Sequence, residues 1–371
     1  MNRMAGYEAF ANWEGLLADW QADIRYPVDR LGDFLMVPKY DESAAPTIGF
    51  GAFKGQLKWR SVRDVPQQPI RDALLDLLRV QGDTEFASVE QQRHLLDVAP
   101  SDYDAKSLVR INAEEMRHGL QMAHILTTNF GDAGRQEAAG LLERRATKGT
   151  RLLKAFNDQV RHWVDLFCFT AFMDRDGKYQ LAMLHQCAFW PIAASMGPML
   201  KEEAFHLGTG VTGLKRIVQA GVIPTPILQK YVNWWVSAAY DCFGKESSST
   251  AAWAYEWGLK GRFDEVTNPA EANRQALNEH NRSLYAAEVQ SILEELNRHR
   301  AKGQVPLYAP DLRFHRRVGN HVNSCVTAHG QTLPADAMEA YLAESLPSAD
   351  DEEHLAWAFD QDWISMRGGT P

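Results

Sequence analysis

No run in this chain is long and apolar enough to cross a bilayer: residues 167–173 are too few, and 188–199 are broken by Pro191, Gly197 and Pro198. The amino terminus passes directly into a stretch carrying Glu8, Glu14, Asp19 and Asp23, without the apolar centre of a signal peptide, so the protein is expected in the cytoplasm. Cysteine is scarce. The four residues, Cys168, Cys187, Cys242 and Cys325, lie far apart with no Cys-x-x-Cys pair, which excludes a disulfide framework or a thiolate zinc site and reads as reduced thiols. Nor is there a basic tract, and a net charge of −9 argues against nucleic acid. No repeat or low-complexity linker marks a boundary, so one domain is expected: a cover at 1–65, a core at 66–215, and additional helices and irregular chain at 216–371.

What the chain does have is 45% hydrophobic residues, with 11 Trp, 11 Tyr and 16 Phe, enough for a large folded core. Within it Glu-x-x-His occurs as Glu115-Met116-Arg117-His118 and again as Glu203-Ala204-Phe205-His206. Residues three apart share a helix face, so each motif aims a carboxylate and an imidazole the same way. Glu85 precedes Glu115 by 30 residues, and Asp174 precedes Glu203 by 29. These intervals predict two helical hairpins of matching length, each with a lone carboxylate and a Glu-x-x-His. Together they make the ligand pattern of a carboxylate-bridged dimetal site in a ferritin-like four-helix bundle, an all-α fold. One Glu-x-x-His alone is ordinarily a buried hydrogen bond within a helix turn; repetition with mirrored spacing makes that explanation awkward.

Taken in order, residues 7–23 read as an amphipathic helix, and the Gly- and Pro-rich span 25–69 as loop. From Pro69 a helix carries Leu74, Leu78, Gln81, Glu85, Ser88 and Gln92 on one stripe. A second helix, capped at Ser101 or Asp104 and stopped at Gly131, turns Ile111, Glu115, His118, Met122 and Ile125 inward. The third is expected over 152–189. Asp174 and Asp176 compete there for the ligand role, with Asp174 preferred because Phe167, Thr170 and Ala171 stack above it. The fourth follows Pro198; its Gly208, Gly210 and Gly213 allow either a helix bulge or close helix packing. Further helices are expected at 227–243, 251–260 and, from Pro269, to about 302, before a basic cluster at 313–317 and an acidic segment at 350–353.

Four carboxylates and two imidazoles suit iron or manganese, and six ligands shared by two ions leave positions open for dioxygen. Ligand geometry alone allows an iron store, a radical generator or an oxygenase, but the large fraction of chain outside the bundle points to a substrate site or partner surface. The segments GDTEFASVEQQR at 82–93, MDRDGKYQL at 173–181 and GLKGR at 258–262 resemble the oxygenase component of benzoyl-CoA 2,3-epoxidase, the BoxB-like proteins, over roughly residues 55 to 320. More distantly the chain resembles the catalytic subunit of phenylacetyl-CoA epoxidase. The resemblance implies two iron ions on Glu85, Glu115, His118, Asp174, Glu203 and His206, and it favours Asp174 over Asp176. It further implies an O2-dependent epoxidation of an aromatic acyl-CoA, with two electrons from a separate NAD(P)H-dependent flavin and iron–sulfur reductase. Gln81, one turn before Glu85, is a pocket candidate, and Lys260, Arg262, Arg316 and Arg317 are candidates for the CoA phosphates. A di-iron hydroxylase or N-oxygenase acting without CoA, and a non-catalytic metal-binding protein, are the alternatives.

Overall fold

In the computed structural model, residues 3–268 and 270–361 are described, the first ten of them without side chains. Helix α1 (Arg3–Asp23) buries Trp13, Leu17 and Trp20, the last edge-on against Phe86 at 5.0 Å; Phe10, within the same amphipathic stretch, lies outside the described side chains. Residues 24–67 form turns and isolated bridges, as their glycines and prolines dictate. Then come α2 (Gln68–Gln92), started by Pro69 in its first turn, and α3 (Asp102–Asn129), capped by the Ser101 hydroxyl, which accepts from the Asp104 N–H at 3.2 Å. Helix α4 (Gly131–Glu143), not anticipated from the sequence, restarts after Gly131 reverses the chain at φ +58 and packs on α2 and α3 through Ala138 and Leu141.

The second hairpin is α5 (Trp163–Cys168), a single π-helical turn (Phe169–Met173), α6 (Asp174–Leu184) and α7 (Trp190–Ala220). Two expectations are corrected here. The third helix starts at Trp163 rather than near residue 152, because the chain first makes a 3-10 turn (Lys154–Asn157) and His162 then caps α5, its Nδ1 accepting from the Asp165 N–H. The fourth helix does not wait for Pro198. It begins at Trp190 and runs through that proline, and Ala194 O, which a residue at 198 would normally satisfy, accepts from the Asp41 N–H at 2.7 Å instead. The bundle is α2 along α3 and α5–α6 along α7, with α3 and α7 meeting between the hairpins.

Helices α8 (Thr225–Cys242), α9 (Ser249–Glu256), α10 (Leu277–Arg298), α11 (Ala335–Ser345) and α12 (Ala349–Phe359) form a shell on the second hairpin. Pro269, the expected start of the long charged helix, lies outside the described residues; that helix begins at Leu277. The acidic segment is the first turn of α12, where negative charge opposes the helix dipole and Ser348 and Asp351 form a capping box. One apolar cluster runs from Trp13 through the bundle to Ala358. Among the described residues no helix is long and apolar enough to cross a membrane, and none of the four cysteines is in a disulfide.

The two readings of the α7 glycines are now separable. The bulge lies in the neighbouring helix, and the glycines make room for it: a Cβ on Gly210 would sit 2.4 Å from Ala171 N and 2.5 Å from Thr170 Oγ1, and one on Gly213 2.2 Å from the Phe167 ring. Gly208 faces open space. Gly210→Ala is therefore expected to destabilise the protein by about 1–3 kcal/mol, whereas Gly208→Ala should be neutral or slightly stabilising. Thermal melts of the two variants check this, and equal midpoints would contradict it.

Candidate metal centre

At one level of the bundle interior, carboxylates and imidazoles from both hairpins converge. One ligand atom from each of Glu85, Glu115, His118 and Glu203 lies within 4.8 Å of the others, and Glu115, Asp174 and His206 form a second group on the same limit, so Glu115 belongs to both. His118 Nδ1 lies 3.4 Å from Glu85 and 3.6 Å from Glu203; His206 Nδ1 lies 3.4 Å from both Glu115 and Glu203. All six residues expected as ligands are buried, and the structure brings them together. Asp176, two residues further along α6 and so on another face, lies outside the cluster, although it lines the adjoining cavity, and accepts from Gln180 Nε2 at 2.8 Å.

Beyond the expected residues, the imidazoles are held by carboxylates that the sequence reading passed over. His118 Nε2 is 2.8 Å from Glu202 on the opposite hairpin, and His206 Nε2 is 3.0 Å from Glu114. A carboxylate only accepts, so each Nε2 carries a proton and Nδ1 is the atom each ring presents to the cluster; burial opposes the charge, but the surrounding carboxylates hold both imidazoles above their ordinary range. In both Glu-Glu-x-x-His stretches the second Glu faces the cluster and the first crosses over to the other hairpin's histidine. The Glu-Glu doublets were visible in the sequence; only the packing of α3 on α7 shows what the first member touches. Glu202 is neutralised by the fully buried Arg117 and by Lys39 at 2.6 Å, and Glu114 by Arg110 at 2.9 Å.

Among the described residues no arginine or lysine is paired with the inner carboxylates, whose charged neighbours are the two imidazoles. Burial, and then the charge of Glu85, push Glu115 well above the usual carboxylate range; burial and Glu203 do the same to Asp174. Burial alone would raise Glu85 too, but the His118 imidazole reverses the sign. His118 Nδ1, His206 Nδ1, Asp174 Oδ2 and Glu203 Oε2 are buried without hydrogen-bond partners. Four orphaned donor atoms aimed at one centre, and four carboxylates whose charge two divalent ions would balance, fit a dimetal site.

A cavity of about 150 Å³ opens on the carboxylate side, between α2 and α6. Glu85, Glu115, Asp174 and Glu203 form part of its wall with Phe156, Met173, Leu181 and Leu184, and Gln81 lines it while donating to Glu85 at 2.6 Å. Lys260 also lines it. The other three basic candidates do not line the cavity, and their guanidinium groups already hold partners within the chain. Arg262 is bound to Glu265 and Asn268 O, Arg316 to Asp241, Glu246 and two carbonyls, and Arg317 to Asp158, so their guanidinium groups brace the shell.

Fold and site together define a ferritin-like helical bundle with a buried carboxylate–imidazole cluster that could hold metal. The comparisons narrow the class. A family model described as phenylacetic acid catabolic protein matches residues 60–329. Benzoyl-CoA oxygenase component B of Aromatoleum evansii is 38% identical over 332 residues, covering 77% of this chain and 69% of that protein. The chain belongs to the phenylacetic acid catabolic protein family.

Two outcomes follow from the geometry. Glu114→Ala should keep the fold and lower metal affinity about 10–100-fold, because His206 loses the partner that orients it; a chelator competition showing wild-type affinity would contradict this. Because Glu115 and Asp174 are raised, the metal-free chain holds protons that a divalent ion must displace, so loading near neutral pH should release protons and affinity should rise with pH. An indicator dye in weak buffer reads the release directly, and metal binding without it would contradict the assignment.

Proposed function

We propose that this chain is an O2-dependent di-iron oxygenase that oxidises the ring of an aromatic acyl-CoA thioester, receiving two electrons from a separate NAD(P)H-dependent flavin and iron–sulfur reductase. The observation that carries this reading is the cavity against the carboxylate face. Its volume of about 150 Å³ suits a single aromatic ring, since an apolar cavity of about that size holds benzene. Two irons held by Glu85, Glu115, His118, Asp174, Glu203 and His206 would supply the reduction of dioxygen, one atom entering the ring and the other leaving as water.

The chain's own residues do the rest. Glu114 and Glu202 keep the imidazoles in the tautomer that leaves Nδ1 free. Gln81 holds Glu85 from the cavity side. Phe156, Met173, Leu181 and Leu184 shield the floor from water, which suits an oxidant that would otherwise be quenched. The ring is small enough to enter; the CoA portion must stay outside. Further support comes from the name of that relative, which couples benzoyl-CoA to an oxygenase and, as a component B, to a partner. Residues 1–65, 66–215 and 216–371 act here as cover, core and shell of one domain.

The purified chain, loaded with Fe(II) under reducing conditions and exposed to O2, should hold about two irons and oxidise faster with benzoyl-CoA present than without it. An iron-free protein would defeat the reading. Equal acceleration by benzoate would instead favour a di-iron hydroxylase acting without CoA.

A further inference from the structure

The cavity wall is divided. Its floor is buried: Glu85, Glu115, Asp174 and Glu203, with Phe156 and Leu181. Its rim, partly exposed, is Leu77, Val80, Gly177, Gln180 and Lys260. A ring lying at the floor with its CoA arm outside must pass its thioester group across that rim. The rim carries one cation, and its ammonium is held in place. Lys260 Nζ donates to Gln180 Oε1, and Gln180 Nε2 donates to Asp176 Oδ1 at 2.8 Å. The opposite amide orientation would set donor against donor and acceptor against acceptor, so Asp176 determines which end of Gln180 the lysine meets. The backbone is equally constrained. Gly258 turns at φ +72, its carbonyl accepts from Ala188 N–H at 2.7 Å, and Leu259 beside Lys260 is fully buried. An ammonium has three donors, and Gln180 takes one.

Resting on the oxygenase reading above, we propose that Lys260, fixed by the Asp176–Gln180 pair, binds the thioester carbonyl oxygen of the substrate and so sets how deep the ring lies against the metal site. Phosphate binding is the poorer use of this residue. The phosphates of CoA lie at the far end of the pantetheine arm, whereas Lys260 stands on the wall of a cavity with room for little more than a ring. Asp176 and Gln180 are positioning residues in this scheme. Lys260 alone touches substrate.

The test uses the full metal-loaded chain and two ligands that differ only at the carbonyl: benzoyl-CoA, a thioester, and benzyl-CoA, the thioether without it. Calorimetric titration of the wild type should show the thioester binding about 10–100-fold tighter, the range of a hydrogen bond to a charged group. Lys260→Met should bind the two equally, near the wild-type affinity for the thioether, with unchanged metal content; Lys260→Arg should recover part of the preference. Gln180→Leu, which leaves the lysine in place but unheld, should lose part of it, and this variant decides the matter if Lys260→Met does not fold. A full thioester preference in Lys260→Met would overturn the carbonyl assignment and leave the oxygenase reading standing. A wild-type chain that binds neither ligand would overturn both.

Discussion

Four carboxylates buried side by side, which among the described residues pair with no arginine or lysine and only with two imidazoles, are the constraint on which this structure depends. Glu85, Glu115, Asp174 and Glu203 each lie in the interior, where an ion without a partner is unstable and like charges raise one another's proton affinity. A packed apolar bundle would be the more stable alternative for these helices alone. The arrangement makes sense as a site whose missing charge arrives with metal. The outward carboxylates follow the opposite rule: Glu114 and Glu202 are already matched by Arg110, Arg117 and Lys39, so they stay ionised and serve the histidines.

Those outward carboxylates also tie the two hairpins together. Each Glu-Glu-x-x-His contributes one Glu and its His to the centre, and lends its other Glu to the His across the interface. The centre is consequently a property of α3 and α7 docked in register, and neither hairpin can orient its own imidazole. The π turn before Asp174 and the glycines of α7 that receive it belong to the same design. A widened turn needs space, and Gly210 provides it by omitting a side chain where the backbone of Ala171 approaches.

Outside the bundle, the extra chain supplies the side of the cavity that four helices cannot. Lys260 comes from the turn after α9, and the shell around it is braced by Arg262, Arg316 and Arg317 against acidic partners. A bundle with this shell has a defined entrance, which a bare iron store does not require.

How much of this could be read from the chain varies with the range of the interaction. The all-α class, the hairpins and the six converging residues follow from spacing three along a helix and from apolar periodicity, both local properties of the sequence. The start of α7 at Trp190 was missed because a proline usually ends a helix, and here a distant N–H, that of Asp41, satisfies the carbonyl it frees. Asp174 was preferred over Asp176 on helical periodicity with Phe167, Thr170 and Ala171, although the π turn between α5 and α6 that shifts this period was not visible. The partners of the basic residues were hidden for a related reason: charge is visible in a sequence, but whether a guanidinium meets an internal carboxylate is not. The sequence by itself thus determined which residues can act together on one helix face, since helix geometry is the same everywhere. Only the tertiary structure decided which carboxylate meets which histidine and which cation reaches the cavity, because those contacts join residues some 80 to 90 positions apart, brought together by packing alone.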